Sequence, residues 1–150
     1  MSGSQHHILI TIDEAYGDYV APADLERTAR AALDAEKVPP AELGILITSD
    51  AIIHDLNRRY ADEDKPTDVL SFSLREGEEF VSPDDTVRLG EVIISLDTAR
   101  RQAEEASRPI EAEVAHLLVH GILHLLGYDH AEAEEERAMR EREEAILAGV

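Results

Sequence analysis

Three histidines in the last third of the chain have the spacing of a metal site. His120 and His124 stand four residues apart in an apolar run that reads as an α-helix, and His130 follows the glycine at position 127. Four residues along a helix advance about 6 Å and return to nearly the same face, so the first two imidazoles can reach one ion. Gly127 allows the chain to leave the helix in a left-handed conformation and to turn the third imidazole back. The spacing therefore predicts a metal held by His120, His124 and His130.

The donor set indicates which metal to expect. Three neutral imidazoles with a fourth position left for water are the catalytic form of a zinc site, whereas structural zinc is usually closed by four protein ligands. We therefore expect one Zn²⁺, with another divalent metal as the alternative. The chain has no cysteine, which excludes thiolate ligands, disulfides and thiol catalysis.

Two further residues close to this motif need an interpretation. His116 extends the histidine ladder by one turn, but its Cα should lie about 12 Å along the helix axis from that of His124. One ion with bonds of about 2 Å does not bridge that span, so we interpret His116 as a core residue or as a support for a ligand. Asp129 is a candidate for catalysis, with orientation of a ligand imidazole or stabilisation of the turn as alternatives.

The ligand spacing is also that of the metzincin proteases, H-E-x-x-H-x-x-G-x-x-H, apart from one position. Gly121 stands where those enzymes carry the glutamate that acts as general base. Loss of general acid–base catalysis typically costs a factor of roughly 10²–10⁴. A metallopeptidase is therefore the second hypothesis and not the first.

The hydrophobic pattern predicts the elements that must position these residues. Apolar runs of strand length predict four strands, at 8–12, 43–48, 69–72 and 89–96. Helical periodicity and capping residues predict five helices, at 22–37, 49–60, 97–107, 109–126 and 132–147. Strands interspersed with helices imply an α+β fold, with a small mixed sheet of about four strands covered by helices. The ligand spacing adds a metzincin-like metal site to this fold. The length suits a single domain over residues 1–150.

The remaining segments receive less specific predictions. We expect residues 1–6 to form a disordered leader and residues 75–88 to form an exposed loop. Asp97 is the expected cap of the helix that starts there. The acidic helix 132–147 is interpreted as a solvated face without a catalytic role, with Glu136 and Arg140 spaced for a weak ion pair.

The net charge of the chain limits the kinds of partner that it can bind. The chain carries 14 basic and 33 acidic side chains, a formal net charge of −19, so the molecule as a whole repels nucleic acid. A polyanionic substrate would need basic residues gathered at the site; the alternative interpretation is a surface adapted to solubility or high salt. The chain contains no apolar run of membrane-spanning length and no signal-peptide pattern. We therefore expect a cytoplasmic protein without a membrane partner.

Three segments resemble the YbeY family of bacterial metal-dependent endoribonucleases, also called ribosomal RNA maturation factors. Residues 120–130, H-G-I-L-H-L-L-G-Y-D-H, fit the family signature H-G-x-L-H-L-x-G-Y-D-H at every defined position. Asn57 and Tyr60, followed by D-K-P-T-D-V-L-S-F at 64–72, are similar to a second family segment. Leu-Gly-Glu-Val at 89–92 stands where members carry a similar Leu-Gly-Asp.

The resemblance spans roughly residues 40 to 150 and implies a function. It implies a zinc-dependent endoribonuclease specific for single-stranded RNA, acting in the maturation of small-subunit ribosomal RNA and in ribosome quality control. The implied partners are ribosomal RNA, the small ribosomal subunit and its assembly factors. The family's three zinc ligands fall on His120, His124 and His130.

One position departs from the family pattern. Many members carry an arginine directly after the tyrosine that matches Tyr60, whereas this chain has Ala61. Arg59, or Arg58 beside it, is the candidate to supply that charge. Solvated helix surface is an equally good interpretation of both arginines.

These residues suggest a mechanism with open alternatives. We hypothesise that the metal lowers the pKa of a bound water and polarises a phosphoryl oxygen, with an arginine or Lys65 holding the phosphate. Thr67, Asp68 and Ser71 are expected to order the loop and strand beside the cleft. The general base is unassigned, and the RNA 2′-hydroxyl is an alternative nucleophile. Besides the metallopeptidase, a non-enzymatic, zinc-stabilised ribosome-assembly factor remains open because the net charge disfavours strong RNA binding.

Overall fold

The computed structural model describes residues 6–60, 67–73, 87–128 and 132–150. The strands of this part of the chain are β1 His7–Ile12, β2 Ala41–Thr48, β3 Val69–Ser73 and β4 Val87–Ser95. Its α-helices are α1 Pro22–Ala35, α2 Asp50–Tyr60, α3 Leu96–Glu105, α4 Ile110–Leu125 and α5 Ala133–Ala148. A short 3₁₀ turn, Glu14–Tyr16, follows β1. The predicted elements are all present, with boundaries that differ by a few residues.

The strands form one mixed sheet in the order β1-β2-β4-β3. β1, β2 and β4 are parallel, and β3 pairs antiparallel with β4 at the edge of the sheet. The α+β class and the four-stranded mixed sheet are therefore confirmed. The predicted loop 75–88 ends too late, because Val87 and Arg88 already pair with β2; residues 75–86 lie outside the described part of the chain.

The core lies between one face of the sheet and helix α4. Alternate residues of β2 are buried, including Leu43, Ile45 and Ile47, which is the period-2 pattern of a strand with one covered face. Helix α4 is apolar on nearly all sides because it packs against α1, α3 and α5 as well as β3 and β4. Within the described ranges, no helix has both the length and the apolar character needed to cross a bilayer.

Helices α2 and α3 exchange contacts at their first turns. The Asp50 carboxylate accepts hydrogen bonds from the Thr98 hydroxyl at 2.7 Å and the Arg101 guanidinium at 2.9 Å, and also from the Ser95 hydroxyl. Burial raises the pKa of Asp50, but these hydrogen bonds outweigh it and leave the pKa below its ordinary value. Asp97 returns the contact by accepting the Asp50 backbone N–H at 2.9 Å.

This exchange corrects the predicted cap of α3. The capping residue is Ser95, whose side chain accepts the Thr98 N–H, and the helix begins at Leu96 rather than at Asp97. Asp97 instead accepts the Tyr16 hydroxyl at 2.9 Å with its other oxygen. The prediction was wrong because Leu96 is already helical, which places Asp97 inside the first turn, whereas Ser95 at the end of β4 has the extended backbone of a capping residue.

The expected leader is shorter than predicted at its inner end. His6 is buried, and its Nδ1 accepts the Ala41 backbone N–H at 3.1 Å. The His6 side chain is therefore fixed to the start of β2, one residue before β1 begins. Residues 1–5 lie outside the described part of the chain.

Candidate metal centre

Gly121 determines how closely the histidine helix approaches the sheet. A Cβ atom added to Gly121 would lie 2.6 Å from Val92 Cγ1 and 3.2 Å from both Ser71 Oγ and Val69 Cγ2. Real carbon contacts are not this short, so only glycine fits this helix–sheet separation. The Ser71 hydroxyl also donates to the Gly121 carbonyl at 2.9 Å. β3 is therefore tied to α4 one residue after His120.

His120 and His124 lie side by side in the last two turns of α4. Their ring centroids are 4.9 Å apart and the rings are inclined at 73°. The rings of His116 and His120 are 6.5 Å apart. The pair predicted to share an ion is thus the closer pair, and His116 lies one turn further from the end of the helix.

A buried carboxylate of α5 contacts both His116 and His120. Glu143 is only 6% exposed, and its Oε2 lies 2.5 Å from His120 Nδ1. Its Oε1 lies 3.2 Å from His116 Nε2. A carboxylate on Nδ1 leaves Nε2 of His120 as the nitrogen that can bind a metal.

Glu143 corrects the interpretation of α5 as a solvated face. Met139, Glu143 and Ile146 are the buried residues of α5, and they recur at intervals of four and three, the spacing of one helix face. A carboxylate between two apolar residues on that face was the signal in the sequence for a buried contact. The predicted pair of Glu136 and Arg140 does form, at 2.7 Å, on the exposed side.

The charges of this cluster reinforce one another. Burial raises the pKa of Glu143, but the hydrogen bonds from His116 and His120 outweigh it and lower the pKa to about 2. The hydrogen bond to Glu143 raises the pKa of His116, against the effect of burial. Glu143 is therefore ionised at neutral pH and is a strong acceptor for an imidazole N–H.

The end of α4 follows the predicted glycine turn. Gly127 has a φ of +103°, its N–H donates to the His124 carbonyl, and the Tyr128 N–H donates to the Leu123 carbonyl, both at 3.0 Å. These two bonds form a Schellman motif, the usual way in which a glycine ends a helix. The predicted helix end at Gly127 is confirmed.

Tyr128, the residue after this turn, is anchored by Glu36, and Arg142 holds Glu36 in turn. The Tyr128 hydroxyl donates to Glu36 Oε1 at 2.6 Å, and Arg142 Nε of α5 donates to Glu36 Oε2 at 2.7 Å. The Tyr128 side chain is therefore held at the end of α1, by a carboxylate that α5 also contacts. His130 and Asp129 follow directly, but they lie outside the described residues, so the third ligand remains a prediction. Among the residues that the structure describes, no three potential ligands are grouped closely enough to hold an ion.

The arginines considered for phosphate binding lie on the exposed side of α2. Arg58 and Arg59 both pair with Asp55, at 2.7 Å and 3.0 Å, and both side chains are more than half exposed. The ring of Tyr60 packs edge-on against Phe72 with centroids 5.7 Å apart. The end of α2 thus lies beside β3, and both arginines are exposed and paired with Asp55. Ala61 lies outside the described residues.

Asp68 joins the segment before β3 to two other elements. Its Oδ2 accepts Gln102 Nε2 at 3.2 Å, and its carbonyl accepts the Ser95 N–H at 2.9 Å. Thr67 Oγ1 donates to Asp68 Oδ1 at 3.4 Å. These contacts, like that of Ser71 with α4, connect β3 and the residues before it to α3, β4 and α4. Lys65 lies outside the described residues.

The residues present suit a divalent metal. Imidazole is the commonest protein ligand of zinc, and a metal-binding histidine usually donates its second ring N–H to a carboxylate. His120 has that carboxylate in place, and His124 stands one turn away on the same helix. The donor chemistry of the described residues therefore fits the predicted zinc site.

The fold and the site define a class of small α+β proteins in which a central helix presents a His-x-x-x-His pair beside an antiparallel edge strand. The chain matches the family model described as Endoribonuclease YbeY over residues 12–150. The relative from Pelotomaculum thermopropionicum, named Endoribonuclease YbeY, is 48% identical over 124 residues, which cover 82% of each chain. The relative of the same name from Roseiflexus sp. is 44% identical over 151 residues, 98% of this chain and 94% of the relative.

A solved structure agrees with these matches. The solution structure of a protein from Thermotoga maritima superimposes with a TM-score of 0.61 at 26% identity, covering 93% of this chain and 86% of the other. The chain belongs to the Endoribonuclease YbeY family. The family resemblance predicted from residues 120–130 is therefore confirmed, and so is the prediction of an enzyme of the endoribonuclease class.

Proposed function

We propose that the chain is a zinc-dependent endoribonuclease that cuts single-stranded RNA during maturation of small-subunit ribosomal RNA and in ribosome quality control. The observation that carries the zinc site is the arrangement of His120 and His124, with Glu143 on Nδ1 of the first. Family membership supports the endoribonuclease activity. The proposed partners are ribosomal RNA and the small ribosomal subunit with its assembly factors.

Each residue has a proposed role at this site. His120 and His124 hold the ion from the end of α4, and His130 completes the set after the Gly127 turn. A divalent metal bound there supplies a water of lowered pKa and polarises a phosphoryl oxygen. Arg59 or Lys65 holds the phosphate, and Asp129 supports the ligands or acts on a proton.

The position of Gly121 disfavours the metallopeptidase hypothesis. The direction of its missing Cβ is toward Val92, Ser71 and Val69 in the sheet. A glutamate side chain at this point would have to enter the helix–sheet contact. The metzincin general base therefore has no equivalent at this position, and α4 could not accept one at its present distance from the sheet.

The cavity behind the histidines suggests where RNA does not bind. This cavity of about 550 Å³ is lined by two arginines and three glutamates, together with His116 and His120. Arg108 pairs with Glu113, and Arg140 pairs with Glu136. The two arginines therefore do not make this cavity a basic surface for phosphate. We therefore propose that RNA reaches the metal from outside this cavity.

The test is cleavage of RNA by the zinc-loaded full chain. Labelled single-stranded RNA, the same RNA in a duplex and an unstructured peptide are incubated with wild type, His124→Ala and His7→Ala. His7 is exposed on β1, the edge strand opposite β3, so His7→Ala controls for the loss of a histidine. We expect cleavage of single-stranded RNA only, lost in His124→Ala with an unchanged circular dichroism spectrum and retained in His7→Ala.

The other outcomes identify the alternatives. Peptide cleavage that a hydroxamate inhibits would establish the metallopeptidase. A wild type that cuts neither substrate, but whose melting temperature falls strongly on chelation, would establish the zinc-stabilised assembly factor. Either result overturns the proposal.

A further inference from the structure

The carboxylate of Glu143 has an unusual position for a charged group. It belongs to α5, is 6% exposed, and directs both oxygens at histidines of α4. A buried carboxylate is costly unless partners compensate for its lost hydration. Here the compensation comes from His116 and His120, of which only His120 belongs to the proposed metal site.

We propose that Glu143 is a positioning residue of the metal site, which fixes the tautomer and ring orientation of His120. By accepting the Nδ1 proton, the carboxylate leaves the Nε2 lone pair directed toward the ion. His116 holds the other oxygen of Glu143 and so fixes the carboxylate in turn. This inference rests on the proposed function, because it takes His120 to be a ligand.

The physical basis is the tautomerism of neutral imidazole. The ring nitrogen that carries the proton is set by the hydrogen bond that the ring makes. A carboxylate acceptor on Nδ1 also raises the basicity of the imidazole toward a metal. His120 is partly buried, with its side chain 24% exposed, so the orientation imposed by Glu143 is not averaged out by free rotation of the ring.

The packing of α5 holds Glu143 in place. Met139 and Ile146, one turn on either side, are 2% and 3% exposed and belong to the core. The carboxylate is thus held between two apolar anchors. α5 begins shortly after His130. The helix that carries the support for His120 therefore also follows the proposed ligand His130 in the chain.

The test compares three variants of the full chain. Glu143→Ala removes the acceptor, Glu143→Gln keeps an amide oxygen in its place, and Glu141→Ala removes an exposed carboxylate from the same helix. Zinc affinity is measured by competition with a chromophoric chelator. We expect a loss of about 10- to 100-fold for Glu143→Ala, a loss of about three- to tenfold for Glu143→Gln, because a neutral acceptor is weaker, and none for Glu141→Ala.

The second readout does not depend on activity. Long-range ¹H–¹⁵N correlations of the metal-free protein report which nitrogen of His120 is protonated. We expect the Nδ1–H tautomer in wild type, Glu143→Gln and Glu141→Ala, and a shift toward Nε2–H in Glu143→Ala. A residue with only a structural role would not change this tautomer.

The outcomes separate this inference from the proposed function. Zinc binding by wild type together with an unchanged affinity in both Glu143 variants overturns the role of Glu143 while the zinc site stands. Should Glu143→Ala not fold, the Glu143→Gln affinity decides, and a value equal to that of wild type overturns the inference. A wild type that binds no zinc overturns the proposed function, and the role of Glu143 toward a metal with it.

Discussion

Replacement of Gly121 by alanine tests the helix–sheet contact that positions the histidines. The new Cβ would stand 2.6 Å from Val92 Cγ1, against an ordinary carbon–carbon separation of about 3.5–4.0 Å. Val92 is fully buried in β4, so one of the two elements has to move by about 1 Å. Overpacking typically costs about 1–3 kcal/mol, and a backbone-borne methyl this close to a fully buried side chain belongs to the upper part of that range, about 2–3 kcal/mol.

Helix propensity opposes this cost. Alanine is favoured over glycine within a helix by about 1 kcal/mol, so we expect a net loss of roughly 1–2 kcal/mol in the free energy of unfolding. In a domain of this size each 1 kcal/mol lowers the melting temperature by about 2–4 °C. The melting temperature of Gly121→Ala should therefore fall by roughly 2–8 °C.

The assay is urea and thermal unfolding of the metal-free chain, with two companion variants. Gly17→Ala is the control, because Gly17 has a φ of −60° and a Cβ there would meet nothing closer than 3.7 Å; no loss of stability is expected. Val92→Ala should cost roughly 2 kcal/mol alone, but less in combination with Gly121→Ala, with a coupling of about 1 kcal/mol or more. A Gly121→Ala protein as stable as wild type would refute the reasoning.

Three further predictions concern the residues around the site and the first turns of α2 and α3. Gly127→Ala should cost about 1–2 kcal/mol in the free energy of unfolding, because alanine is strained at a φ of +103° although the space around it is open. It should also weaken zinc binding, because the segment that leads to His130 would start in a different direction. Tyr128→Phe should cost about 1–2 kcal/mol by urea unfolding, through loss of the hydrogen bond to Glu36. Asp50→Asn should cost about 1–3 kcal/mol at pH 7. Because the folded-state pKa of Asp50 is lowered, its stabilisation is fully present above the ordinary carboxyl pKa and is lost as the pH falls through the folded value. The difference between Asp50→Asn and wild type should thus be constant above about pH 5 and shrink below about pH 4.

Each of these predictions has an outcome that would contradict it. Equal stability of Gly127→Ala and wild type would mean that the positive φ is not required. An unchanged unfolding midpoint in Tyr128→Phe would mean that Glu36 does not anchor the turn. A stability difference for Asp50→Asn that persists unchanged at pH 3 would show that the charge of the carboxylate is not the stabilising feature.

The sequence was sufficient to predict the elements of the fold because local patterns specify them. The apolar run of β2, the prolines at the starts of α1 and α4, and Gly127 at the end of α4 each act within a few residues. The cap of α3 was predicted wrongly because the strand ends and the helix begins one residue earlier than the apolar run indicates, which makes Ser95 and not Asp97 the capping residue. Strand order also depends on contacts between distant segments, which a single sequence does not reveal.

The candidate site was predictable in part for the same reason. His120 and His124 are placed by helix geometry alone, so their proximity follows from their spacing. Glu143 reaches His120 from a different helix, 23 residues further along the chain, and nothing local distinguishes it from the other glutamates of α5 except its place between Met139 and Ile146. Its role becomes visible only when α5 is packed against α4.

The most direct test of the zinc site is X-ray absorption at the zinc edge of the full chain carrying one equivalent of zinc. We predict three imidazole nitrogens and one oxygen at about 2.0–2.1 Å, with one imidazole fewer in His130→Ala. A shell closed by four protein ligands, or one with fewer than three imidazoles in the wild type, would contradict an open zinc centre built on His120, His124 and His130.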